Sequence, residues 1–259
     1  MMFPIRDENP QLQIPYVTYA LIALNVIAWL LLQGIGVEPA LSASVCQGLI
    51  PADLTGATAN TTETFCSVDG VPDWHTTVTS IFMHGSWMHL LGNMWFLWIF
   101  GNNVEDAMGP IRFILFYLVC GLAASAAQVL ADLHSPIPMV GASGAIGGVM
   151  GAYIVLYPKV HVHMLLFLVV IVRTFAIPAI AMLGYWIVVQ IFGAVSSMGT
   201  SGGGVAFWAH IGGFVAGMLL IFVFRDERLL AKHPYRGWHQ TQHPDDAWKP
   251  VKNKGGTWN

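Results

Sequence analysis

Charged residues divide this chain into long apolar stretches. No Asp, Glu, Lys or Arg occurs in 9–37, 74–104, 113–131, 133–158 or 174–224. A helix needs about 20 apolar residues to cross the hydrocarbon core, so each of the first four stretches accommodates one. The last is 51 residues long, enough for two, and the run GAVSSMGTSGGG at 193–204 supplies a turn between them. The pattern predicts six spans, at 16–35, 84–103, 112–131, 141–158, 177–195 and 205–224. Residues 160–172 (VHVHMLLFLVVIV) are apolar but only 13 long, a length that fits an interfacial or re-entrant segment better than a span.

Basic residues collect on the cytoplasmic side of membrane proteins. With six spans, all 11 Lys and Arg fall in the segments on one side, from Arg6 through Arg112, Lys159, Arg173 and Arg225 to Lys254. The opposite loops, 36–83, 132–140 and 196–204, hold none. A seventh span at 160–172 would break this segregation. The expected organisation is a cytoplasmic N-terminal segment (1–15), a membrane domain (16–225) and a partly disordered cytoplasmic tail (226–259). The polar start, MMFPIRDENP, does not read as a cleavable signal, and the first span is expected to act as an uncleaved anchor.

Composition narrows the class. The chain is 55% hydrophobic and only 10% charged, against about 25% charged in soluble domains. Its net charge of −3 comes with no basic patch, which argues against a nucleic-acid partner. Three cysteines are too few for a disulfide scaffold. Cys46 and Cys66 share the long outer loop, where a disulfide is an option in an oxidising compartment.

Polar groups inside spans are costly and tend to be functional. His84, His89 and Asn93 open the second span, Ser143 opens the fourth and His210 the sixth. All three spans run from outside to inside, so at 1.5 Å per residue these groups share the outer third to half of the bilayer. His89 and Asn93 are four apart and lie on one helix face. Gly144, Gly147, Gly148 and Gly151 line the fourth span, and Gly213 and Gly217 follow His210. Such small residues let helix backbones approach closely, which would bring Ser143 to His210. A serine beside a histidine is the pattern of an activated nucleophile. The Ser143 amide, Asn93 and His89 are the available oxyanion donors. No carboxylate lies at this depth, which leaves a Ser–His dyad. No metal or other cofactor is expected.

The segments HGSWMHLLGN (84–93), GASG (141–144) and AHIGGFVAG (209–217) resemble those of the rhomboid intramembrane serine proteases. Glu105, Gly109 and Arg112, and PIRDENP near the start, follow the same pattern. The resemblance covers about residues 1–225. It implies an all-α, polytopic bundle of six transmembrane helices. It further implies Ser143 as nucleophile, His210 as base, and Asn93, His89 and the Ser143 amide as oxyanion stabilisers. His84 matches a family position, with structural support as one reading of it and catalysis as another. Trp186 and Gln190, four apart on the fifth span, are candidates for the family's lateral substrate gate, with ordinary packing the competing reading. Some members stack a tyrosine, one turn after the serine, on the catalytic histidine. That position here is Gly147, which leaves open what orients His210.

The expected activity is hydrolysis of peptide bonds in or near the transmembrane segments of substrate proteins. Partners are then transmembrane proteins and the lipid bilayer, and the expected location is a bacterial inner membrane. The main alternative is an inactive rhomboid-like chaperone or binding protein, against which both Ser143 and His210 speak. A metal or haem protein lacks a cysteine or carboxylate to complete a ligand set. A transporter is disfavoured because the two halves show no clear repeat.

Overall fold

The computed structural model describes residues 2–34, 43, 46–56, 73–168, 171–198 and 205–234. Cys66, most of the long loop, residues 199–204 and the tail beyond 234 lie outside these. Among the described residues, long helices form at each of the six predicted stretches. They are α1 (Tyr16–Ala28, continued by a π-helical turn Trp29–Gln33), α2 (Trp87–Met108), α3 (Pro110–Ala131), α4 (Ser143–Leu156), α5 (Ala179–Ser197) and α6 (Phe207–Phe224). Four of them (α1 with its extension, α3, α5 and α6) are long and apolar enough to cross a membrane. Helix α4 has only 14 residues. Helix α2 has 22, but Asn93, Asn102, Asn103, Glu105 and Asp106 dilute its apolar character.

The molecule is mostly helical, with one addition that the sequence reading did not place. The described part of 160–172, read as an interfacial or re-entrant segment, is extended. It contributes to β2 (His161–Leu168) and β3 (Ile171–Pro178), which pair antiparallel, and β2 also pairs with β1 (Met2–Asp7). The alternation Val-His-Val-His-Met has the period of a strand. Val162 and Met164 turn inward, at 0% and 5% exposure, while His161 faces out.

Buried carboxylates fasten the end of the bundle that carries this sheet. Glu105 accepts from the Val17 and Thr18 amides at 3.0 and 2.8 Å and from the Thr18 hydroxyl at 2.8 Å. These are unpaired donors of the first turn of α1, and a carboxylate there also meets the positive end of the helix dipole. Asp106 does the same for the Leu12 and Gln13 amides just before α1. Arg112 at the start of α3 donates to the Arg225 carbonyl at 3.1 Å and lies 3.7 Å from Asp226. The basic residues Arg6, Arg112, Arg173 and Arg225 thus all sit on elements tied together at this end.

Helix α4 runs through the middle, and every residue from Gly144 to Tyr153 is buried. Its glycines let α6 lie against it almost backbone to backbone. A Cβ on Gly217 would fall 1.9 Å from the Gly148 carbonyl oxygen. The aromatic core, with Phe100, Phe113, Phe116, Tyr117 and Tyr153, fills the space between α2, α3 and α4. Helix α5 packs chiefly on α6, and Tyr185, Val188, Phe192 and Val195 face outward from it.

Candidate active site

Ser143 is the first residue of α4, so its amide belongs to the unpaired donors of a helix N-terminus. His210 lies in the first turn of α6. The close packing of α4 on α6 brings the side chains together, with His210 Nε2 at 2.8 Å from Ser143 Oγ. On the other side of the ring, His210 Nδ1 lies 2.7 Å from Gln190 Oε1 on α5.

The orientation of the Gln190 amide follows from its second contact. Gln190 Nε2 donates to the Trp186 carbonyl oxygen at 3.2 Å, one turn earlier in its own helix. Turned the other way, the amide would set its oxygen against that carbonyl. Oxygen therefore faces His210, and His210 Nδ1 must carry the proton for that contact to be a hydrogen bond. Nε2 is left with its lone pair toward the Ser143 hydroxyl, as a general base requires.

His89 is held in the opposite form. The Gly85 amide donates to His89 Nδ1 at 3.3 Å, so Nδ1 accepts and Nε2 carries the proton. That Nε2–H and the Asn93 amide converge on Gly141, two residues before the serine. The position of a Cβ on Gly141 lies 2.8 Å from His89 Nε2 and 3.5 Å from Asn93 Nδ2. Gly141 has φ +127°, which only glycine adopts readily, and its amide donates to the Ser80 carbonyl at 2.9 Å. Any side chain there would fill the space the two donors face. Asn93 is 8% exposed, and its Nδ2 finds no hydrogen-bond partner among the described residues. A buried amide donor left without a partner costs stability, a cost met at functional sites.

His84 is fully buried and meets His89 edge to face, with ring centroids 5.2 Å apart. Its backbone pairs twice with the Gln33 side chain, at 2.5 and 2.7 Å. Gln33 escaped the sequence reading, although a polar residue at the end of an apolar span was the available signal. Gly144 and Gly213 lie close together, and a Cβ on Gly213 would fall 1.9 Å from the Gly144 oxygen.

Gly147, at the position where the family resemblance put a tyrosine, lies against the backbone of His210. A Cβ there would lie 3.1 Å from the His210 carbonyl oxygen and 3.8 Å from the Trp186 ring. The indole of Trp186 covers the imidazole instead, with centroids 5.7 Å apart and planes tilted by 37°. Trp186 and Gln190, read as gate candidates, are thus direct neighbours of the histidine. A small cavity opens beside the serine, lined by Ser80, Gly121, Ala124, Met139, Gly141 and Ala206. Among the described residues, no cluster of His, Cys, Asp and Glu is arranged to hold a metal ion. Cys46 is in a disulfide, whereas Cys120, on α3, is free and buried.

The model of the Rhomboid domain matches residues 71–227, a range that holds His84, His89, Asn93, Ser143, Trp186, Gln190 and His210. The chain is 30% identical to the chloroplastic rhomboid-like protein 11 of Arabidopsis thaliana over 63% of its own length and 55% of that protein. It is 35% identical to the rhomboid protease GluP of Bacillus subtilis over 56% of its length and 25% of that protein. With the mitochondrial rhomboid protein 1 of Saccharomyces cerevisiae it shares 32% identity over 55% of its length and 39% of that protein. The chain therefore spans between a quarter and about half of the length of these relatives.

Proposed function

The chain belongs to the rhomboid family of integral membrane proteins, and from that premise we propose that it is an intramembrane serine endopeptidase working through Ser143 and His210. The observation that carries the proposal is the 2.8 Å contact between His210 Nε2 and Ser143 Oγ, with the imidazole tautomer that this contact needs.

In the proposed reaction His210 Nε2 takes the hydroxyl proton as Ser143 Oγ bonds to the scissile carbonyl carbon. The negative charge moves to the carbonyl oxygen, where the Ser143 amide, Asn93 Nδ2 and His89 Nε2–H stabilise it. As the intermediate collapses, the C–N bond breaks and His210 gives its proton to the leaving amine. A water molecule then loses a proton to His210 and attacks the acyl-serine. The ester bond breaks, the carboxylic acid departs, and Ser143 recovers its proton from His210.

Rhomboid proteases act on transmembrane substrates within the bilayer, and the dimensions of α4 suit that setting. At 1.5 Å per residue, 14 residues span about 21 Å, less than the hydrocarbon thickness of about 30 Å. With the end of α4 near Tyr157 at the cytoplasmic face, Ser143 lies beneath the outer surface. The proposed substrates are transmembrane proteins whose helices unwind locally near their outer ends. The six-span topology, with the basic segments cytoplasmic, and a bacterial inner membrane belong to the same proposal. Relatives in chloroplasts and mitochondria make the membrane itself a point for experiment.

The alternative, a rhomboid-like protein that binds membrane clients without cutting them, would have no need of a matched pair of histidine tautomers. The deciding experiment is cleavage of a model transmembrane substrate by the protein in proteoliposomes, beside Ser143→Ala. Cleavage is expected in the first and none in the second. Equal cleavage by both would remove the serine mechanism, and none by either would favour the binding protein.

A further inference from the structure

We infer that Gln190 is the positioning residue of His210, the neutral counterpart of the carboxylate that orients histidine in soluble serine proteases. The inference rests on the reading of Ser143 and His210 as a catalytic pair. It adds a third member, from a different helix, for which the apolar spans hold no acidic candidate.

Three features of the site converge on it. The acceptor lies 2.7 Å from Nδ1, on the side of the ring opposite Ser143. The amide that supplies it is itself fixed by the bond from Nε2 to the Trp186 carbonyl, so it cannot turn to present a donor instead. It is also buried, at 7% exposure, where water does not compete as a partner for Nδ1. A neutral imidazole has one N–H and one acceptor nitrogen, and which is which is set by the partner of the other nitrogen. Gln190 therefore selects the tautomer able to take the Ser143 proton. As Nδ1–H becomes part of an imidazolium during attack, the same oxygen stabilises the added charge. A charged carboxylate would do this more strongly, but leaving it ionised in the apolar interior carries a large desolvation cost. The amide gives the orientation without that burden.

The companion contact comes from the same helix. Trp186 lies over the ring and also against Phe214, with centroids 5.7 and 5.9 Å away. The indole limits the tilt of the imidazole while Gln190 fixes its rotation about the ring axis. Between them they answer the question left by Gly147. Both residues face His210 because they are four apart on α5.

The test compares the full-length protein with Gln190→Leu, which removes the acceptor at similar volume, and Gln190→Glu, which restores one. Turnover is measured on a transmembrane substrate and on a short soluble peptide. In parallel, ring-15N-labelled histidine reports the tautomer of His210, assigned by its loss in His210→Ala. Leu should lower kcat about ten- to a hundredfold on both substrates, with KM changed by less than about twofold. It should also move the His210 signal away from the Nδ1–H form. Glu should recover most of the lost kcat. Full kcat in Gln190→Leu, or a tautomer unchanged from wild type, overturns the assignment. A lowered melting temperature with the wild-type tautomer does so too, because it marks simple packing. If Leu does not fold, Gln190→Met serves the same comparison. Failure of the underlying protease reading is separable: Ser143→Ala would then cleave as wild type does, while the tautomer comparison would still report on Gln190.

Discussion

The Gly213 α-carbon sits so close to Gly144 that a Cβ built on it would fall 1.9 Å from the Gly144 carbonyl oxygen. Gly144 follows the proposed nucleophile by one residue and Gly213 follows the proposed base by three, so this contact sets the distance between them. A clash with backbone cannot be relieved by turning a side chain. Gly213→Ala is expected to push α6 away from α4, lowering the melting temperature by several degrees and turnover by at least tenfold. Gly184→Ala, on α5 with nothing within 4 Å of its added carbon, is the matched control and should change the melting temperature little. A tenfold loss of turnover with an unchanged melting temperature in Gly213→Ala would mean that the glycine acts on substrate, not on packing.

Asn93→Ala should reduce kcat by a factor on the order of ten to a thousand, the range for one oxyanion donor among several. Asn93 Nδ2 has no partner among the described residues to lose, so the fold should hold and the melting temperature should stay close to wild type. His89→Ala removes a donor and also the ring on which His84 packs, so it should lower both kcat and stability. Weaker substrate binding with a full chemical rate in Asn93→Ala would make Asn93 a binding residue.

A pH effect is expected far from the site, at β1. Burial pushes the Asp7 carboxyl up from 3.8 to about 7, despite the hydrogen bond it accepts from the Tyr153 hydroxyl. The folded state therefore holds a proton that the unfolded chain releases above about pH 4. Stability falls wherever the folded state binds more protons, so this contribution is full below about pH 4 and is lost as pH rises toward 7. The protection factors of the β1 amides, with the intrinsic pH dependence of exchange divided out, should fall over that window in the wild type. In Asp7→Asn, which keeps an oxygen for the Tyr153 hydroxyl, this dependence should be gone. An identical pH profile in Asp7→Asn would assign the effect to another group.

The sheet shows why some of the fold was hidden in the sequence while the residues of the candidate site were conspicuous. Ser143, His210, His89 and Asn93 stood out because each is a polar interruption in an apolar run, and solvation alone makes such residues conspicuous. Pairing of Met2 with Leu166 leaves no such mark, since either strand could have found another partner and β2 is apolar enough to resemble part of a span. The bond from His210 to Gln190 was concealed for the same reason. A glutamine on α5 announces that it needs a partner, but only the packing of α5 on α6 says which one.

Placing β2 and β3 beside β1, in the same sheet as Arg6 and Arg173, makes the topology testable at Leu166. With six spans this position is cytoplasmic. A single cysteine introduced there should resist an impermeant thiol reagent added to intact cells or spheroplasts and react once the membrane is opened. Labelling from outside would rule out the six-span arrangement.

The last prediction separates the two readings of Trp186. As part of a lateral gate, its bulk would hold α5 closed, and Trp186→Ala would speed entry of a transmembrane substrate. As the cover of His210, the same indole limits the tilt of the ring, and its removal would slow chemistry for every substrate. Helix α5 suits the first role because it packs chiefly on α6, and opening of such an element can limit turnover. The indole stands 5.7 Å from the imidazole, which suits the second. The two roles act on different steps, so two substrates resolve them. A soluble peptide enters from the water side and needs no gate, so it should report the chemical step alone, with kcat lowered about three- to tenfold in Trp186→Ala. A transmembrane substrate should show the same loss offset by faster entry, and the ratio of its kcat/KM to that of the peptide should rise. An unchanged ratio would leave Trp186 as a cover for His210 and remove it from the gate. Unchanged peptide turnover would leave it in the gate and place the orientation of His210 on Gln190 alone.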